Sequence, residues 1–108
     1  MIKKFDWKKK TAIYIGRFQP FHEGHKEIFL NTLKKNFQIT ILVMDSFGIN
    51  KKNPFKFNYV KKKIDISLKK YKGNYIIIKI PVVSEVIYGR KVGYKFRNIK
   101  ISKKIEKI

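Results

Sequence analysis

The two histidines of this 108-residue chain, His22 and His25, fall three positions apart inside one run, Gly16-Arg17-Phe18-Gln19-Pro20-Phe21-His22-Glu23-Gly24-His25. Imidazole changes charge near neutrality, so such a pair can donate hydrogen bonds to an anion, act as a general base or ligate a metal. At this spacing both rings face the same side of a helix start. A protein-built metal site would need more ligands, and the chain has no cysteine, no third histidine and only seven acidic residues. No resident metal is therefore expected. General-base catalysis by one ring stays open. A pair of loop histidines without any role is the ordinary fate of this residue, and against it stands the company of Gly16, Pro20 and Gly24.

The elements that must hold the pair are readable on either side of it. Residues 11–15 (TAIYI) are β-branched and aromatic and stop at Gly16, as a short buried strand does. Pro20 forbids an immediate helix. From Glu23 to about Lys35, Ile28, Phe29 and Leu33 recur at helical spacing. Residues 37–44 (FQITILVM) form a second strand, and residues 45–57 a polar loop with Gly48, Asn50 and Asn53-Pro54. A second helix runs from about Asn58 to Tyr71, with Val60, Ile64, Ile66 and Leu68 on its apolar side, and Gly73-Asn74 ends it. Residues 75–80 make a third strand, closed by Pro81. Beyond Val82 the pattern weakens to turns, a short strand near Ile99 and a closing Lys103-Lys104-Ile105-Glu106-Lys107-Ile108 that begins a helix.

Such a βαβαβ series with near-continuous apolar strands predicts an α/β fold, an open parallel sheet of Rossmann-like type in a three-layer α/β/α arrangement. Ligands of these sheets sit beyond the carboxyl ends of the strands. The histidine run falls there, at the N-terminus of the first helix, where unpaired N–H groups and the helix dipole favour phosphate. Gly16 lets the chain pass close to a ligand, and Gly24 removes a side chain where the helix nears a phosphate or the sheet.

Composition bounds the rest. Hydrophobic residues are 44% of the chain, with nine Phe and six Tyr, enough for one packed domain over residues 1–108. The net charge of +20 invites a nucleic-acid reading. Only Arg17, Arg90 and Arg97 are arginines, however, and the lysines are spread along the chain, as a solvated lysine surface would be. Nucleic acid is not the expected partner, although a basic nucleic-acid-binding domain is kept as an alternative. The absence of cysteine fits a cytoplasmic protein, and no apolar run is long enough to cross a bilayer or form a signal peptide.

The run from Gly16 to His25 resembles the signature of the His-x-Gly-His nucleotidyltransferase superfamily, the cytidylyltransferase-like domains. Its Gly-Arg-Phe-Gln-Pro form is similar to the archaeal-type nicotinamide mononucleotide adenylyltransferases and their bacterial and viral relatives. Asn53-Pro54-Phe55 and residues 88–94 (YGRKVGY) resemble weaker elements of the same group. The resemblance covers about Thr11 to Lys104. It implies a Mg2+-assisted transfer in which a phosphate of a small acceptor, such as nicotinamide mononucleotide, attacks the α-phosphorus of ATP or CTP and expels pyrophosphate. Adenylyl rather than cytidylyl transfer is the expectation. By carry-over His22 and His25 are catalytic, holding the triphosphate and stabilising the transition state. Gly16, Arg17, Phe18, Gly24 and Arg90 line the nucleotide. Members of the group are often homo-oligomers.

One element departs from the pattern. The superfamily carries Ile-Ser-x-Thr-x-x-Arg at a late helix, whereas this chain has Ile101-Ser102-Lys103-Lys104-Ile105-Glu106-Lys107. Either the motif is substituted or it would begin past Ile108, which is the expectation. A non-catalytic nucleotide-binding remnant is accordingly the alternative to an enzyme.

Overall fold

The computed structural model describes residues 4–45, 55–89 and 95–97. Its elements run β1 (Ala12–Gly16), α1 (Glu23–Leu33), β2 (Ile39–Asp45), α2 (Phe57–Ser67), a single 3-10 turn (Lys69–Tyr71) and β3 (Tyr75–Pro81). The strands are parallel in the order β1-β2-β3, with Ala12 beside Ile39 and Ile39 beside Tyr75. This is the open parallel α/β sheet that the strand–helix alternation predicts.

Alternation along the strands sorts the side chains. Ile39, Ile41 and Val43 of β2, with Tyr75 of β3, are buried with Phe29 of α1, with Val60 and Ile64 of α2 and with Leu68, the residue that caps it. Ala12, Tyr14 and Ile77 pack against the same cluster. Both β–α–β crossovers step in one direction across the sheet, and right-handed crossovers of that kind put both helices on one face. The opposite face carries Ile13, Ile15, Leu42, Met44, Ile76, Ile78 and Ile80. There the Val83 N–H meets the Met44 sulfur at 3.3 Å and the Thr11 and Thr40 hydroxyls pair at 2.9 Å. The two helices thus form one outer layer, and the described elements supply the sheet and this layer of the expected three-layer arrangement. No helix among the described residues is long and apolar enough to cross a membrane.

Element boundaries moved for identifiable reasons. The first helix ends at Leu33, two residues short of Lys35, and Phe37 is exposed under the Lys9 ammonium, 4.5 Å from the ring centroid. On α2, Val60, Ile64 and Leu68 recur every four residues and are buried, but Ile66 is 62% exposed. It stands about 200° around the helix from Ile64, so it cannot share that face. The helix also stops at Ser67 rather than continuing to Tyr71, tightening into the 3-10 turn. Gly73 follows at φ 93°, a conformation glycine adopts without a Cβ penalty, and the Asn74 N–H closes the turn on the Tyr71 carbonyl. Ile99 and the run from Ile101 onward lie outside the described residues.

One latch has no sequence signal. Gln38, fully buried ahead of β2, accepts the Asp6 N–H at 2.8 Å and donates to the Asp6 carbonyl at 2.7 Å and the Lys9 carbonyl at 3.2 Å. This side chain fastens the basic N-terminal lead-in to the sheet. Gln38→Leu leaves those backbone groups without partners and should lower stability by about 1–3 kcal/mol. Urea unfolding followed by circular dichroism reads the loss, and an unchanged midpoint would show that the lead-in adds nothing to the fold.

Candidate functional site

The chain leaves β1 at Gly16 and folds straight back over it. A Cβ built on Gly16 would lie 2.7 and 2.8 Å from atoms of the Phe18 ring, so this glycine makes room for Phe18. Phe18 holds φ 53°, a left-handed conformation that costs a bulky residue about 1–2 kcal/mol. Burial repays it: the ring is 2% exposed and meets Tyr14 edge-on at 5.2 Å, Phe21 at 5.6 Å and His25 edge-on at 5.0 Å. The Phe18 side chain is therefore core, and only its backbone can face a nucleotide.

His22 is the N-cap of α1, and the two histidines satisfy each other's neighbourhood. The His22 Nδ1 accepts the Gly24 N–H at 3.0 Å, and the His25 Nδ1 accepts the His22 N–H at 3.0 Å. This is a capping box in which two imidazoles stand where a hydroxyl and a carboxamide usually do. An Nδ1 that accepts carries no proton, so each neutral ring holds its proton on Nε2. The rings lie 3.9 Å apart, tilted by 31°, and His25 stacks on Phe21 at 5.4 Å. Burial, and secondarily the neighbouring His22, lower the His25 pKa to about 4. At neutral pH His25 is thus an uncharged donor through Nε2–H.

This arrangement changes where an anion can be held. Two of the amides at this helix start, those of Gly24 and His22, are taken up by the imidazoles, which leaves the Nε2–H groups of the rings as further candidate donors. Gly24 itself is buried against the fold, as a glycine at a close helix–sheet approach should be. Arg17 is exposed on the same turn, between Gly16 and Phe18. Arg90 and Asn53-Pro54 lie outside the described residues. The burial of Tyr14 raises its hydroxyl above the usual phenol range, so it is a neutral wall beneath Phe18 rather than a base.

Sequence reasoning missed one residue of this turn. Gln19 donates from Nε2 to the Phe55 carbonyl at 3.0 Å and accepts the Phe55 N–H on Oε1 at 2.8 Å. Nothing in local pattern signals it, because the partner lies 36 positions away.

No protein-family model matches the chain. A nicotinamide-nucleotide adenylyltransferase of Thermoplasma acidophilum is 56% identical over 34 residues, 32% of this chain and 19% of that enzyme. A bifunctional NMN adenylyltransferase/ADP ribose pyrophosphatase of Francisella tularensis, in one of its structures complexed with AMP and a Mn ion, superposes with a TM-score of 0.63. That match has 29% identity and covers 68% of this chain and 23% of the other. The chain resembles the NMN adenylyltransferases in sequence and in fold. The likeness sets the α/β sheet within the Rossmann-like nucleotidyltransferase type, while the matched region spans under a quarter of either relative.

The cap carries a pH signature. The unfolded chain protonates a histidine near pH 6.5, whereas folded His25 resists until about pH 4. Between these values the unfolded state binds more protons, so the His25 contribution to stability is full above pH 6.5 and falls as the pH drops toward 4. A Gln at this position can still accept the His22 N–H but cannot titrate. Urea midpoints measured at pH 7 and pH 4.5 should therefore separate less for His25→Gln than for the natural chain. Equal separations would mean that His25 titrates normally.

Proposed function

We propose that this chain is a nucleotidyltransferase domain that transfers AMP from ATP to a phosphate-bearing acceptor such as nicotinamide mononucleotide, releasing pyrophosphate. The observation that carries the reading is the paired, Nε2-protonated imidazoles fixed at the carboxyl end of a parallel sheet. Transfers of this kind need placement and charge stabilisation more than a protein nucleophile. The likeness to NMN adenylyltransferases in sequence and fold supports the adenylyl over the cytidylyl form, with CTP the alternative donor.

An acceptor phosphate oxygen forms the new bond to the α-phosphorus as the bond from that phosphorus to the bridging oxygen breaks. The electron pair leaves with pyrophosphate. The Nε2–H groups of His22 and His25 donate to triphosphate oxygens whose charge grows during the transfer. Arg17, exposed on the same turn, is the residue proposed to meet a further phosphate oxygen. Arg90 belongs to the proposed nucleotide site on the sequence resemblance alone. In this reading the Mg2+ ion arrives with the triphosphate as part of the substrate. A cytoplasmic setting belongs to the same proposal and is supported by the lack of cysteine.

A non-catalytic nucleotide-binding domain is the second reading, favoured by the run from Ile101 to Lys107, which lacks the threonine and arginine of the superfamily's phosphate clamp. Pyrophosphate release with ATP, magnesium and nicotinamide mononucleotide separates the two. His25→Ala should lower turnover by about 100- to 1000-fold, the usual effect of removing one preorganised donor. ATP binding without pyrophosphate from any of a panel of phosphate acceptors would favour the second reading. A folded His25→Ala variant with undiminished turnover would overturn the first.

A further inference from the structure

Gln19 uses both ends of its amide on a single distant peptide group, the N–H and C=O of Phe55. That pairing is the one a β-strand neighbour would make, and it joins the histidine turn to the residue just ahead of α2. The first helical bond of α2 runs from the Val60 N–H to the Lys56 carbonyl, so Phe55 lies outside the helix and draws both of these bonds from Gln19. The Phe55 ring stacks on Tyr59 in the first turn of α2, 4.6 Å between centroids and 19° from parallel. Lys56, Phe57 and Asn58, the next residues, line a cavity of about 290 Å³ with Asp45 and Lys79 at the carboxyl ends of β2 and β3. Asp45 and Lys79 are ion-paired across its floor at 3.2 Å.

The cavity therefore lies along the same end of the sheet as the histidines, about one strand spacing of 4.8 Å further for each strand crossed. It offers a carboxylate, an amide and ammonium groups beside an aromatic ring, which suits a polar, phosphate-bearing acceptor. We propose that Gln19 is a positioning residue that clamps the histidine turn to the mouth of α2, so that a triphosphate on the histidines and an acceptor in this cavity are held as one site. This rests on the nucleotide-binding reading above.

On the histidine side, Gln19 follows Phe18, whose left-handed conformation is tolerated only while the turn is held on both sides. On the other side, without the clamp, Phe55 keeps its stacking on Tyr59 and its packing against the core, but loses both hydrogen bonds to the histidine turn. Ligand uptake at the histidines should therefore be felt at Phe55, through two hydrogen bonds and without a change of fold.

Amide NMR of the full-length chain, titrated with ATP and magnesium, tests this directly. In the natural chain the Gly24 amide, bonded to His22, and the Phe55 amide should shift with one common midpoint. In Gln19→Leu the Gly24 amide should still respond while the Phe55 response is lost. Gln19→Glu keeps an acceptor for the Phe55 N–H and loses the donor to its carbonyl, so its Phe55 response should be reduced but present. It also serves if Gln19→Leu does not fold. An undiminished Phe55 response in either variant would overturn the proposal, as would a natural chain in which Gly24 moves and Phe55 does not. In those cases nucleotide binding stands. If neither amide responds to ATP in the natural chain, the nucleotide reading falls and the coupling falls with it.

Discussion

The reciprocal bond between His22 and His25 is the constraint on which the site depends. A helix start leaves its first amides without partners, and a side chain that satisfies one of them contributes on the order of 1 kcal/mol. Serine or aspartate would do this as well. Two imidazoles do something more, because each satisfies the backbone through Nδ1, at 3.0 Å in both cases, and keeps a second, protonated ring nitrogen that the bond does not use. In the proposed site the cap and the ligand donors are the same side chains. Any displacement of the rings loosens the helix, and fraying of the helix displaces the rings.

The turn ahead of the cap is arranged to prevent either. Gly16 has no Cβ because the Phe18 ring occupies that space, and the Phe18 ring in turn forms one wall of the His25 pocket. Burying a phenylalanine stabilises by about 1.5–3 kcal/mol, which offsets the left-handed backbone needed to place it. Phe21 stacks on the other side of His25. The aromatic residues of the signature thus serve imidazole placement and the lowering of its pKa, and the polar residues around them meet the backbone or the solvent.

The fold was largely legible because its signals are local: strand-length apolar runs, helical spacing on each side, and glycine or proline at the breaks. The site's location was legible for the same reason, since a glycine-bounded turn between β1 and α1 can fall only at the carboxyl end of the sheet. Its internal chemistry was not. That Gly16 accommodates Phe18, that Gly24 and His22 give their amides to imidazoles, and that Gln19 and Gln38 clamp peptides more than thirty residues away are facts of tertiary contact. An amide side chain reads in sequence as ordinary surface polarity, and only the fold shows which backbone it has captured. The misplaced Ile66 is the converse case, an apolar residue whose helical phase, and not its hydropathy, decides its exposure.

In the proposed site a division of electrostatic labour follows from the neutral His25 ring. With His25 uncharged above about pH 4, it would contribute a directed donor and no net charge against a triphosphate. Attraction at a distance must come from the basic surface, and that surface, at +20 overall, is rich in exposed lysines that salt screens within about 10 Å at 0.1 M. The two contributions are therefore separable in kind. Screening weakens capture of the anion, while the short hydrogen bonds from a partly buried imidazole are little affected once it has arrived. A protonated His25 would have merged the two roles, at the expense of the cap, because a proton on its Nδ1 would break the bond to the His22 N–H that holds the turn. A neutral His25 preserves that geometry, and in the proposed site the lysines supply the field.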